Sequence, residues 1–137
     1  MKPKMRLGLC SVSFRDKSPD EIILLAKKAN LEVIEWGADI HVKPGEKELA
    51  RRIGRITREN GLQVCSYGSY YKLGNSYSNF LTVLDTTKAL QAPAIRVWAG
   101  EKGSSETNVF ERSQMVEEAR RIAAVANEEN ISIRLEF

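Results

Sequence analysis

Apolar and polar positions along the chain switch repeatedly between a period of two and a period near four. Short alternating or β-branched runs give way to stripes at helical spacing, four times over. The first run, Arg6–Phe14, predicts a strand. Ser18, Pro19 and Glu21 then spell a capping box, in which Ser18 caps free N–H groups, Pro19 suits the first turn and Glu21 reaches back. Ile22, Leu25, Ala26 and Ala29 form the buried stripe of this helix, and Asn30 can end it in a left-handed conformation. Leu31–Trp36 predicts the second strand; after a turn over Lys43–Glu46, Leu49, Ile53 and Ile56 line a helix that stops at Asn60 and Gly61. The third strand is Leu62–Tyr67, followed by a Gly- and Tyr-rich loop through Gly74. Phe80, Leu81 and Leu84 mark a third helix, halted by Pro93. Ala94–Trp98 is the fourth strand, leading into the loop Ala99–Ser105; the fourth helix carries Val116, Ala119, Ile122, Ala123 and Ala126 and ends near Asn130. Ile131–Phe137 begins a fifth strand.

Regular alternation of strand and helix predicts a parallel sheet with right-handed crossovers. Two α/β architectures accommodate it: an open doubly wound sheet, or a section of a (β/α)8 barrel. Strand starts fall about 31 residues apart, the unit length of a barrel of ~250 residues. An open sheet would close with a fifth helix, which is missing, and Gly8 belongs to no G-x-G-x-x-G fingerprint. The reading is therefore a partial TIM barrel of about four and a half βα units, with residues 1–137 forming one half-barrel section. A parallel strand is covered on both faces, so the bare fifth strand leads us to expect a piece of something larger.

Side-chain alternation divides the strands into two faces. Ile131, Ile133 and Leu135 lie opposite Ser132, Arg134 and Glu136; Ile95 and Val97 lie opposite Arg96 and Trp98; Ile34 and Trp36 lie opposite Val33 and Glu35. One face can pack on helices while the other collects charge. Burying those charges in an ordinary core would be prohibitive unless they paired, whereas a barrel's inner face opens at the C-terminal ends of its strands. Ser13, Glu35, Tyr67, Trp98 and Glu136 fall at such ends. An Arg–Glu network that merely fills the barrel is the bland alternative.

Composition narrows the partners. A net charge of +3, with basic residues spread along the helices, gives little reason to expect nucleic acid. Apolar runs are too short to cross a membrane and the basic start, Met1–Arg6, leads into no signal-peptide core, so a cytoplasmic location is the expectation. Cys10 and Cys65 lack CxxC spacing and suit reduced, buried thiols, and His41, the single histidine, rules out a cluster of His ligands within the chain.

Three stretches resemble a known family: Ile34–His41 after the second strand, Ile95–Gly100 on the fourth, and Ile131–Phe137 on the fifth. In order and spacing the chain is similar to the N-terminal half of the xylose-isomerase-like TIM barrels, the sugar-phosphate isomerases and epimerases. That resemblance implies a divalent metal at the barrel mouth, Mn²⁺ or Mg²⁺ first and Co²⁺ or Zn²⁺ as substitutes, with Glu136 as its first ligand and as a participant in proton transfer. It implies substrate contacts from Phe14, Glu35, His41, Tyr67 and Trp98, and a small sugar or sugar phosphate as substrate. The other metal ligands have no counterpart here, so the chain alone is expected to be metal-free and inactive. Its expected partner is a C-terminal half-barrel or a second copy of itself. Two further readings stay open: a barrel resembling apurinic endonucleases, and a non-catalytic half-barrel used for assembly. For His41 the alternative role is a loop hydrogen bond; for Phe14 and Trp98 it is packing; Tyr67, Tyr70 and Tyr71 could stack on a sugar or shield a loop.

Overall fold

The computed structural model describes residues 4–74 and 77–136, so Met1–Pro3 and Phe137 of the segments predicted above lie outside the described residues. Its strands are β1 (Gly8–Cys10), β2 (Val33–Gly37), β3 (Gln63–Lys72), β4 (Ala94–Trp98) and β5 (Ser132–Glu136). Its helices are α1 (Pro19–Lys28), α2 (Lys47–Glu59), α3 (Phe80–Leu90) and α4 (Val109–Glu128). The strands form one sheet in the order β1-β2-β3-β4-β5, every pair parallel. Each crossover moves one place in the same direction. Right-handed connections then carry every helix to the same face. A doubly wound sheet reverses its strand order partway and covers both faces; this one does neither, and it is a partial TIM-barrel-like fold.

Helix ends follow one design. After α1, α2, α3 and α4 the chain passes through a left-handed residue, respectively Asn30 (φ 55°), Gly61 (φ 78°), Gln91 (φ 57°) and Asn130 (φ 58°). The next residue's N–H then reaches back to a helix carbonyl: Leu31 to Ala26, Leu62 to Thr57, Ala92 to Thr87 and Ile131 to Ala126, at 2.9 to 3.2 Å. These are Schellman closures, and each hands the chain to an apolar residue at the strand's entrance. Starts are less uniform. The predicted Ser18–Glu21 capping box is present, and α4 has a second, built by Asn108 and Glu111.

The core lies between the sheet and its helices. Ile22, Ile34, Trp36, Ile53, Tyr67, Phe80, Leu90, Ile95, Val97 and Ile122 are fully buried there. Two predicted strands change by more than two residues. The first strand is only Gly8–Cys10, and Ser11–Phe14 coils into a 3₁₀ turn, because the Ser11 hydroxyl takes the Gly37 N–H at 2.8 Å and turns the chain aside. The third strand runs on to Lys72 through residues predicted as loop. It does so by shifting register twice, against β2 between Ile34 and Glu35 and against β4 between Gly68 and Lys72, which lets a Gly/Ser/Tyr stretch stay extended.

Candidate functional site

On the face away from the helices, three charged side chains from three strands meet. The Arg96 guanidinium on β4 lays Nε and Nη2 on Glu35 Oε1 of β2, at 3.0 and 2.9 Å, and turns Nη1 to Glu136 Oε2 of β5. Glu35 and Arg96 are largely enclosed, with side chains 11% and 22% exposed, while that of Glu136 is 46% exposed. Burial works against the charge on Arg96, yet the hydrogen bond and charge of Glu35, joined by Glu136, outweigh it and raise its pKa. Cys10 on β1 stands beside the same acid, Sγ to Oε1 3.5 Å, and desolvation followed by the Glu35 charge pushes its thiol up to about 11.

Above this network, at the strands' C-terminal ends, a rim runs across the sheet. Asp39 pairs with Arg15, whose Nη2 donates to the Tyr70 hydroxyl at 3.2 Å. The Tyr70 ring lies against that of Trp98, centroids 6.0 Å apart and 29° between planes. Lys72 Nζ sits 5.8 Å above the Trp98 ring and 3.2 Å from Glu101. Trp98 is half-buried, faces Glu136 in register, and its indole Nε1 is enclosed with no hydrogen-bond partner among the described residues. Beside Trp98 and Glu136 opens a cavity of about 640 Å³, running under the β4–α4 loop to Met115 on α4 and Leu135 on β5.

The residues named from the sequence divide into two groups. Glu35, Trp98 and Glu136 come together on the charged face and its rim. Tyr67, His41 and Phe14 do not join them. Tyr67 is fully buried on the helix face and donates from its hydroxyl to the Val42 carbonyl at 2.6 Å; burial pushes its phenol up. His41 is buried too, with both ring nitrogens occupied: Nε2 donates to the Lys17 carbonyl and Nδ1 accepts from the Ser11 hydroxyl, each at 3.0 Å. It clasps the loops after β1 and β2, a wider reach than a bond within its own turn. Phe14 is half-buried against the core from the 3₁₀ turn. Phe14 packs on the core, while His41 and Tyr67 each bond the backbone carbonyl of another segment. Sequence reasoning passed over Gly68, Arg15, Asp39 and Lys72; the irregular register of β3, which brings Gly68 level with Arg96, has no signature in the residue pattern.

No protein-family profile matches the chain, and no curated protein matches it. Solved structures do. A xylose isomerase domain protein from Planctomyces limnophilus superposes with a TM-score of 0.72 at 16% identity, covering 100% of this chain and 55% of its own. The probable 3-DHS dehydratase of petrobactin synthesis from Bacillus anthracis gives a TM-score of 0.78 at 23% identity, over 96% of this chain and 52% of its own. A xylose isomerase domain protein from Alicyclobacillus acidocaldarius gives 0.74 at 17%, over 98% and 50%. The chain thus shares the fold of xylose-isomerase-like barrels and spans about half the length of these three structures.

Proposed function

We propose that this chain supplies the N-terminal, Glu136-bearing half of a divalent-metal-dependent isomerase or epimerase that moves a proton between adjacent carbons of a small ketose, polyol or sugar phosphate. One observation carries the reading. Glu136 ends β5 at the barrel mouth, opposite Trp98 and beside the large cavity, with one carboxylate oxygen held by Arg96. A carboxylate so placed can hold or pass on a proton at a substrate carbon.

Glu136 suits a hard divalent cation as one oxygen ligand, Mn²⁺ or Mg²⁺ before Co²⁺ or Zn²⁺. When bound, such an ion polarises a carbonyl and acidifies the neighbouring C–H. Among the described residues no three His, Cys, Asp or Glu side chains converge for a metal. The remaining ligands would come from a complementary half-barrel, and the chain alone would turn over no substrate. That partner would also cover Leu135, 52% exposed on the helix face of β5, and pair the open edge of that strand. No helix among the described residues is long and apolar enough to cross a membrane.

The fold match to a dehydratase favours a second reading with the same first event, proton removal from carbon, followed by loss of water. Titration calorimetry with Mn²⁺ tests both. We expect only weak uptake by the isolated chain, abolished in Glu136→Gln; tight stoichiometric binding by a monomer, or uptake indifferent to Glu136→Gln, would overturn the proposal. Sedimentation should show association through the open edges, and a well-folded monomer at high concentration would remove the second-copy partner.

A further inference from the structure

Glu35 and Glu136 stand on β2 and β5, with β3 and β4 between them. Neighbouring strands lie ~4.8 Å apart, so neither carboxylate reaches the other unaided. Arg96 closes the distance. Starting on β4, its guanidinium crosses β3 to meet Glu35 on β2, and the β3 residue at that crossing is Gly68, the register partner of Arg96. A Cβ at position 68 would stand 2.9 Å from Arg96 Nη2 and 2.9 Å from Glu35 Oε1. Gly68 is not among the glycines with positive φ. Its backbone would accept other residues; the space above it would not.

We infer that Arg96 and Gly68 are positioning residues for Glu136: the glycine leaves a gap through which one arginine is anchored on Glu35 and clamps Oε2 of Glu136. Among the described residues Oε1 accepts no hydrogen bond, so the clamp presents Glu136 to the mouth through a single oxygen, as a one-oxygen ligand or base in a fixed orientation. The functional half of this inference rests on the reading proposed above, whereas the clamp does not. Arg96 is thereby committed within the protein and is not a free phosphate-binding group.

The atoms in the way of a residue-68 methyl are the far ends of two flexible side chains, so Gly68→Ala should fold while dislodging the clamp. NMR of chain labelled at arginine side-chain nitrogens and Glu carboxyl carbons reads this directly. In the wild type we expect a resolved, slowly exchanging Arg96 Nε–H signal. In Gly68→Ala that signal should exchange roughly tenfold faster, the scale of losing one charge-assisted hydrogen bond, and the Glu136 carboxyl resonance should move. Arg96→Lys keeps the charge but cannot span both acids, so it should move the Glu136 resonance without restoring the clamp. A folded Gly68→Ala with wild-type Arg96 and Glu136 signals overturns the inference. Should Gly68→Ala fail to fold, an unmoved Glu136 resonance in Arg96→Lys overturns it. Adding Mn²⁺ alone separates the two readings: broadening of the Glu136 signal that weakens several-fold in Gly68→Ala supports both. Absence of broadening in the wild type removes the metal, while the metal-free spectra still judge the clamp.

Discussion

β2 and β5 are both five-residue strands, and each carries one arm of the same ion network, Glu35 or Glu136. Their environments are opposite. All five residues of β2 are buried, whereas in β5 only Ile133 is even half-buried. The difference lies in their neighbours, since β2 has a strand on either side and β5 has one. A strand's pattern says which face each residue takes; how much that face matters depends on what packs around it. The same arginine therefore binds a nearly enclosed acid at one end and a half-open one at the other, which suits anchoring at Glu35 and presentation at Glu136.

Substitutions can widen or collapse this contrast. Trp36→Ala on β2 removes a fully buried ring whose Nε1 donates to Thr57 Oγ1 at 3.2 Å. It should cost about 3–5 kcal/mol in urea unfolding. Thr57→Val leaves that indole without its acceptor, also forfeiting the Thr57 bond to the Ile53 carbonyl, and should cost about 1–3 kcal/mol. At dilutions where the chain is monomeric, Leu135→Ser on β5 should change stability by less than ~0.5 kcal/mol; a loss near that of Trp36→Ala there would show β5 to be covered within the single chain. The network itself can be read through Cys10. With its thiol near 11, alkylation at pH 8 should run roughly a hundredfold slower than for an ordinary thiol. Glu35→Gln removes a negative charge that opposes the thiolate, so the thiol should fall back and the rate rise; an unchanged rate would mean that Glu35 does not act on it.

The strand–helix succession and the two faces of β4 and β5 were legible because alternation and helical stripes record them residue by residue. Ala94–Trp98 matches its predicted span, and Asn30, Gly61 and Asn130 sit at the stops read from the sequence. Gln91 escaped notice, since only Pro93 announced the end of α3. That Glu35, Trp98 and Glu136 share one side of the sheet was legible from parity. The burial of Tyr67 was not legible because the register shift between Ile34 and Glu35 sets it on the helix face, where its hydroxyl finds Val42. The place of His41 was not legible because its partners, Ser11 and Lys17, lie in another loop. Gly68 carried no signal, for an empty place becomes meaningful only once its neighbours are known.

The four matching helix exits have an evolutionary consequence. Because every unit releases the chain through a left-handed residue and with the same backbone bond, a unit can be copied, exchanged or grafted without re-engineering its junction. Such a protein can grow or be recombined by whole segments, its chemistry revised strand by strand while the scaffold stays in phase.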